Sequence, residues 1–176
     1  MRKLILLSLA LFAAAQDDLK PPEKAAPYYP TPQFVVEKML ALGELKKGET
    51  LFDLGSGDGR FVITAAQKFG ARAFGVELDP QLVQQSRQRI ARLRLEPQAQ
   101  IIEGDLFLQD YSKGDLLTVY LLPSTNAKLA PVLDKQLKKG SRVVCHDFEF
   151  LEWNPEKTIQ LEDQEGRSHT LFLYRR

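Results

Sequence analysis

Three glycines at alternate positions, Gly55, Gly57 and Gly59, sit in Asp53-Leu54-Gly55-Ser56-Gly57-Asp58-Gly59, directly behind the apolar pair Leu51-Phe52. Alternate glycines let a backbone bend sharply and leave no Cβ between its amides and a ligand. Phe61, Val62, Ala65, Ala66 and Phe69 predict a helix immediately afterwards. A turn between a strand and that helix aims amide donors and the positive helix end at something small and anionic. Two more acids stand at comparable places. Glu77 lies near the end of the apolar run Ala71 to Leu78, 22 residues after Gly55, and Asp105 follows the run Ala99 to Glu103 and Gly104. An acid at the carboxyl end of the second strand of an open α/β sheet can accept bonds from two ribose hydroxyls. An ionised carboxylate suits that task because it only accepts. The chemistry these residues allow is the gripping of a nucleotide-type cofactor.

The spacing separates cofactor classes. A dinucleotide fingerprint is Gly-x-Gly-x-x-Gly, whereas this chain has Gly-x-Gly-x-Gly with Asp53 two residues ahead of it. That pattern resembles motif I of the class I S-adenosylmethionine-dependent methyltransferases. The resemblance implies S-adenosyl-L-methionine as cofactor, its methionine end held by Asp53, Gly55, Ser56, Gly57 and Gly59. It implies Glu77 at the ribose and Asp105 at the adenine, with Leu78 and Leu106 also among the cofactor-binding residues. A nicotinamide dinucleotide oxidoreductase, or a catalytically silent nucleotide-binding module, is the alternative of another class, and both the glycine spacing and Gly104-Asp105 argue against the oxidoreductase.

The elements that must position these residues follow from the pattern. Thr31-Pro32 opens a helix by N-cap and N1 logic, with Val35, Val36, Met39 and Leu40 as its apolar stripe. Asp79-Pro80 opens another, with Leu82, Val83, Ser86 and Ile90 on one side. Leu116 to Leu122 reads as a fourth strand, Thr125 onward as a helix, and Ser141 to His146 as a fifth strand. Lys157 to Glu162 and Ser168 to Tyr174 alternate like a hairpin around Glu165-Gly166. The expected fold is α/β: a Rossmann-like, mostly parallel seven-stranded sheet with a terminal antiparallel hairpin and helices on both faces.

A narrower likeness rests on Pro27-Tyr28-Tyr29-Pro30-Thr31-Pro32, the glycine motif through Arg60, Tyr120-Leu121-Leu122-Pro123 and His146-Asp147-Phe148. Together these are similar to small methyltransferases whose mitochondrial members modify lysines of the ATP synthase c-ring protein and of the adenine nucleotide translocase. The likeness covers about residues 27 to 155. It implies transfer of a methyl group to a protein lysine amine, membrane proteins being among the acceptors it points to, with a small-molecule acceptor as the runner-up. Tyr28, Leu121, Leu122 and Pro123 would then form the substrate pocket, and Tyr29, His146 or Asp147 would relay the amine's proton. The Asn/Asp-Pro-Pro-Tyr signature used on planar amide or adenine nitrogens is missing, so base and glutamine methylation lose support. In-line displacement at a sulfonium methyl chiefly needs alignment and proximity.

Composition limits the remaining classes. The 24 basic and 23 acidic residues nearly cancel, so no global field favours nucleic acid or an anionic membrane. The single cysteine, Cys145, excludes an intrachain disulfide and a multi-cysteine zinc site, and no metal is expected. Residues 1–15 carry Arg2-Lys3, an apolar stretch and Ala13-Ala14-Ala15, the layout of a signal peptide or a short N-terminal anchor. Residues 16–30 read as a linker and 31–176 as the enzyme-like domain. The leader predicts export or anchoring, yet S-adenosylmethionine is made inside the cell, which argues for cytoplasmic exposure.

Overall fold

A computed structural model describes residues 28–176; the expected leader, residues 1–15, and most of the linker lie outside the described residues. Seven strands form one sheet. At its centre β1 (Thr50–Leu54) pairs in parallel with β2 (Arg72–Glu77), which pairs in parallel with β3 (Ala99–Glu103). On the other side of β1 lie β4 (Leu116–Val119) and β5 (Arg142–His146), also parallel. Next to β5 runs β7 (Ser168–Arg175), antiparallel to it, with β6 (Lys157–Glu162) at the far edge. The order β3-β2-β1-β4-β5-β7-β6 therefore reverses direction between β1 and β4. At such a switch point the connections leaving the two central strands diverge and open a crevice beyond their carboxyl ends. The mostly parallel, class I methyltransferase-like sheet expected from the sequence is the one observed.

Strands covered on both faces must be apolar along their length, and β1, β4 and β5 are buried at every position. One face carries α1 (Gln33–Leu42), α2 (Arg60–Thr64) and α3 (Pro80–Arg92), packed as one cluster with Leu51, Ala73, Leu116 and Val144. The other carries α4 (Pro123–Gln136), whose Leu129 and Leu133 pack with Phe52, Leu117, Val143, Trp153 and Tyr174. Cys145 is a fully buried member of this second cluster, and burial pushes its thiol well above the ordinary range. Among the described residues no helix is long and apolar enough to cross a membrane.

Local chemistry fixes where the elements begin. The Asp79 carboxylate accepts from the amides of Gln81 and Leu82, and Pro80 at the first helical position has no N–H to satisfy, so α3 starts where the sequence predicts. Helix α1 starts one residue later than expected, with Pro32 as its cap and no side-chain hydrogen bond there. The strand expected over 116–122 stops at Val119. Pro123 occupies the first turn of α4, so the helix begins two residues before Thr125 and Tyr120-Leu121-Leu122 become the connection. That early stop brings Tyr120 and Leu121 to the crevice instead of the sheet.

Candidate functional site

The glycine motif is held open by backbone geometry. Gly55, Gly57 and Gly59 all have positive φ, at 78°, 53° and 76°, a region that side chains with a Cβ rarely adopt. The amides of Gly55 and Ser56 donate to the Val76 carbonyl, both at 2.9 Å, which stitches the loop to β2. A Cβ on Gly57 would stand 2.6 Å from Cε2 of Tyr28, so this glycine admits the tyrosine ring over the loop. Gly75 does the same for Ser56, whose Oγ would lie 2.5 Å from a Cβ there. Gly59 does not line the crevice; it caps α2 in the left-handed conformation.

Three acids stand where the sequence placed them, in different states. Asp53 is buried at the end of β1, with Oδ1 accepting from the Thr118 hydroxyl at 2.7 Å and Oδ2 without a partner. Burial first, then the Glu77 and Asp58 charges, push its carboxyl up to about 7, against the pull of the Thr118 bond and Arg60. Glu77 is engaged differently: Oε2 accepts from the Gly57 amide at 2.8 Å, and Oε1 from the amides of Leu78 and Asp79 at 2.9 Å each. Its carboxylate therefore fastens the glycine loop to the end of β2 as well as facing the crevice. Asp105 caps the short turn Leu106–Leu108 through the Phe107 amide at 2.8 Å. The Tyr111 hydroxyl donates to the Leu106 carbonyl at 2.6 Å and steadies that turn from the core side.

These residues converge on one cleft. Asp53, Gly55, Ser56 and Gly57 form its floor, Glu77 and Leu78 one side, Asp105 and Leu106 the next. Tyr28, Tyr29, Thr31, Tyr120 and Leu121 close the other end. Leu122 and Pro123, expected in the substrate pocket, do not line it and are exposed, because Pro123 has already turned the chain into α4. Tyr28 and Tyr29, placed at the linker's end by composition, belong to the cleft wall.

Arg60 holds that wall in place and was not singled out by the sequence. It makes a two-pronged pair with Asp58, Nε to Oδ1 at 2.8 Å and Nη2 to Oδ2 at 2.9 Å, and donates through Nη1 to the Thr31 carbonyl. Asp58, Asp79 and Leu82 also line the cleft. Position next to the glycine motif was the available signal for Asp58 and Arg60.

His146 and Asp147 do not line the cleft; they lie behind Tyr120, whose ring centroid is 4.0 Å from that of His146. His146 is fully buried, with Nδ1 3.3 Å from the Thr31 hydroxyl and Nε2 2.9 Å from Nδ1 of His169. Nε2 of His169 in turn stands 3.4 Å from Oδ2 of Asp163. Asp147 adopts a positive φ of 58°, its Oδ1 accepts from the Thr170 amide at 2.8 Å, and its Oδ2 is 3.3 Å from His146 Nε2. Burial lowers His146 to about 4, with the Asp147 charge opposing and His169 reinforcing the shift. His169 and Asp163 come from the terminal hairpin, and nothing in the sequence pattern tied them to residue 146.

Known proteins resemble this chain in sequence and fold. Residues 53–157 match the model of the ANTKMT methyltransferase domain. A protein-lysine N-methyltransferase of Saccharolobus islandicus is 40% identical over 149 residues, spanning 84% of this chain and 92% of the relative. The human lysine N-methyltransferase named for the c-ring protein of ATP synthase is 31% identical over 150 residues, 84% of this chain but 64% of the human protein's length. A solved structure of an RNA methyltransferase from Salinibacter ruber, in complex with S-adenosyl-L-homocysteine, superposes with a TM-score of 0.78. It is 43% identical and covers 84% of this chain and 93% of that one. The matched family model, the relative covered nearly end to end and the cleft at the switch point agree: this chain belongs to the ANTKMT methyltransferase domain family and is an S-adenosylmethionine-dependent methyltransferase.

Proposed function

We propose that the chain transfers a methyl group to the ε-amine of a lysine in a protein substrate. The observation that carries this reading is the charge of the cleft. Among the described residues Asp53, Asp58, Glu77, Asp79 and Asp105 line it against a single cation, Arg60, which Asp58 neutralises. Such a cleft attracts an ammonium and a sulfonium and repels phosphodiesters. The unpartnered Oδ2 of Asp53 and the unpartnered Oγ of Ser56 fit the polar methionine end of S-adenosylmethionine. Glu77 and Leu78 would hold the ribose, Asp105 and Leu106 the adenine. When bound, the cofactor supplies a methyl group on a positively charged sulfur.

The chain's own residues have two further tasks. Tyr28, Tyr29, Tyr120 and Leu121 line the end of the cleft that the side chain would enter. Taking an ammonium out of water against such walls disfavours its charge and lowers its pKa from the value near 10.4 it has in water. The neutral amine is the nucleophile, and the walls align it for in-line attack. The lysine activities in the names of the Saccharolobus and human relatives support this acceptor class, and the ATP synthase component in the human relative's name favours a membrane-embedded protein.

An RNA acceptor is the second reading, favoured by the description of the Salinibacter relative. The acidic cleft counts against it, as nucleic-acid affinity is carried mainly by cations on phosphates. Incubating the full chain with methyl-labelled S-adenosylmethionine, a membrane-protein extract and total RNA separates the readings. Methyl-lysine in the acid hydrolysate of the protein fraction is expected. Label confined to RNA or to small metabolites would overturn the proposal.

A further inference from the structure

Every methyl transfer to a lysine amine releases one proton, and behind the cleft wall lies a row of hydrogen-bonded groups able to take it. Asp163 is nearly buried, and although burial opposes it, hydrogen bonds from the backbone and side chain of Arg167, from His169 and from the Glu165 amide hold its carboxyl well below the usual range. A carboxylate only accepts, so Nε2 of His169, 3.4 Å from Asp163 Oδ2, carries the hydrogen. Nδ1 of His169 is then a bare lone pair. His146 Nε2, 2.9 Å away, must donate to it, which leaves His146 Nδ1 bare in turn and facing the Thr31 hydroxyl at 3.3 Å. One fixed charge at the sheet edge thus sets two tautomers and orients the hydroxyl of Thr31, a residue that lines the cleft.

We propose that this row, Thr31-His146-His169-Asp163, takes the proton from the acceptor amine and parks it on His169 during methyl transfer. The inference rests on the lysine reading above. The ammonium N–H bond breaks as the Thr31 oxygen gains that proton; Thr31 gives its own to His146 Nδ1, and His146 gives its Nε2 proton to His169 Nδ1. What results is a neutral amine, an unchanged threonine, a neutral His146 in the other tautomer, and an imidazolium at His169. The charge comes to rest between two carboxylates, Asp163 at 3.4 Å and Asp147 at 4.0 Å. No charge stays on His146, where burial would make it costly. After product leaves, the proton returns by the same route to water in the cleft and both tautomers reset. The groups facing the pair from every packed element are Thr31, Phe34, Tyr120, Asp147 and Asp163, with Arg167 outside Asp163. His146 and His169 are positioning residues here, acting on substrate through Thr31.

The experiment has a spectroscopic arm and a kinetic arm, both on the full chain. Long-range proton–nitrogen NMR of ¹⁵N-histidine protein at pH 8 is expected to show both rings carrying their hydrogen at Nε2 and bare at Nδ1. Protonation of either ring at Nδ1 at pH 8 would overturn the row. In the kinetic arm methyl transfer to poly-L-lysine is followed from pH 7 to 9. Thr31→Val and His169→Gln should slow transfer roughly 100-fold at pH 7, the usual scale of acid–base assistance, and much less at pH 9, where the amine loses its proton unaided. Thr31→Ser, which keeps the hydroxyl, should rescue the pH 7 rate. Parallel profiles for wild type and variants, with labelled lysine in both, would overturn the relay alone. No labelled lysine from wild type would overturn the lysine reading and the relay with it. His146, Asp147 and His169 also present ligand atoms within 4.8 Å of one another. Loss of the pH 7 rate on chelation, restored by zinc, would overturn the relay in favour of a metal.

Discussion

The two halves of the cleft are built by different means. On the β1–β2–β3 side the parts are close in sequence and held by backbone: loop amides bond to Val76, and Glu77 collects the amides of Gly57, Leu78 and Asp79. On the β4–β5–β7 side the parts are side chains from distant segments, with Thr31 reaching His146 and His146 reaching His169. The first half can bind a cofactor whose shape never varies. The second can be retuned by exchanging single side chains, which suits an acceptor that differs among relatives. The backbone half also leaves one buried carboxylate oxygen, Oδ2 of Asp53, without a partner, whereas the polar atoms of the side-chain half are matched along the row.

The largest effect is expected at the loop of the backbone half. Gly57→Val forces a β-branched residue into a φ of 53° and drives its Cβ against Tyr28. S-adenosylhomocysteine affinity should fall more than 100-fold by calorimetry, with the fold retained by circular dichroism. Retained affinity would mean that the cofactor does not approach this loop. Next comes Arg60→Ala, which cuts Thr31 and the tyrosine wall loose from Asp58. It should depress methyl transfer at least tenfold while changing S-adenosylhomocysteine affinity severalfold at most; the reverse pattern would assign Arg60 to the cofactor half.

Two acids on the same half should then part company. Glu77→Ala removes the acceptor of three amides, so both melting temperature and affinity should drop, the affinity by about 1 to 3 kcal/mol. Asp53→Asn keeps the Thr118 contact but removes a buried charge, so affinity should fall over a similar range while the ligand-free protein becomes more stable at pH 8. The sign follows from its carboxyl, raised from 3.8 to about 7. Between about pH 4 and 7 the folded state keeps a proton that the unfolded state releases, so stability declines as pH rises through that window. The asparagine variant should lack that decline. The smallest effect is expected at Tyr111→Phe, which strands the buried Leu106 carbonyl and should cost about 1 kcal/mol in a denaturant melt.

The difference between the halves also explains what was legible in the sequence. Asp53, the glycines, Glu77 and Asp105 are marked by fixed positions relative to strand ends, and strand ends follow from apolar runs and turn chemistry. The expectation fails where one proline moves a boundary: Pro123 opens α4 early, so Leu122 and Pro123 face solvent and only Leu121 reaches the cleft. His169 and Asp163 were invisible because β7 pairs beside β5 across a long loop, and no local pattern encodes the register, with Leu171 opposite His146, that brings His169 within reach. Helix α3, by contrast, carries its own start signal in Asp79-Pro80.

Whether β1 and its glycine loop form the cofactor half is decided by a calorimetric titration of S-adenosylhomocysteine into the wild-type chain and Asp53→Asn across pH 5.5 to 8.5. If an ionised Asp53 receives the ligand's ammonium, wild-type affinity should rise nearly tenfold per pH unit up to about 7 and then level off. The asparagine variant should bind weakly with no such rise. Equal affinities with the same flat pH profile in both proteins would contradict that assignment.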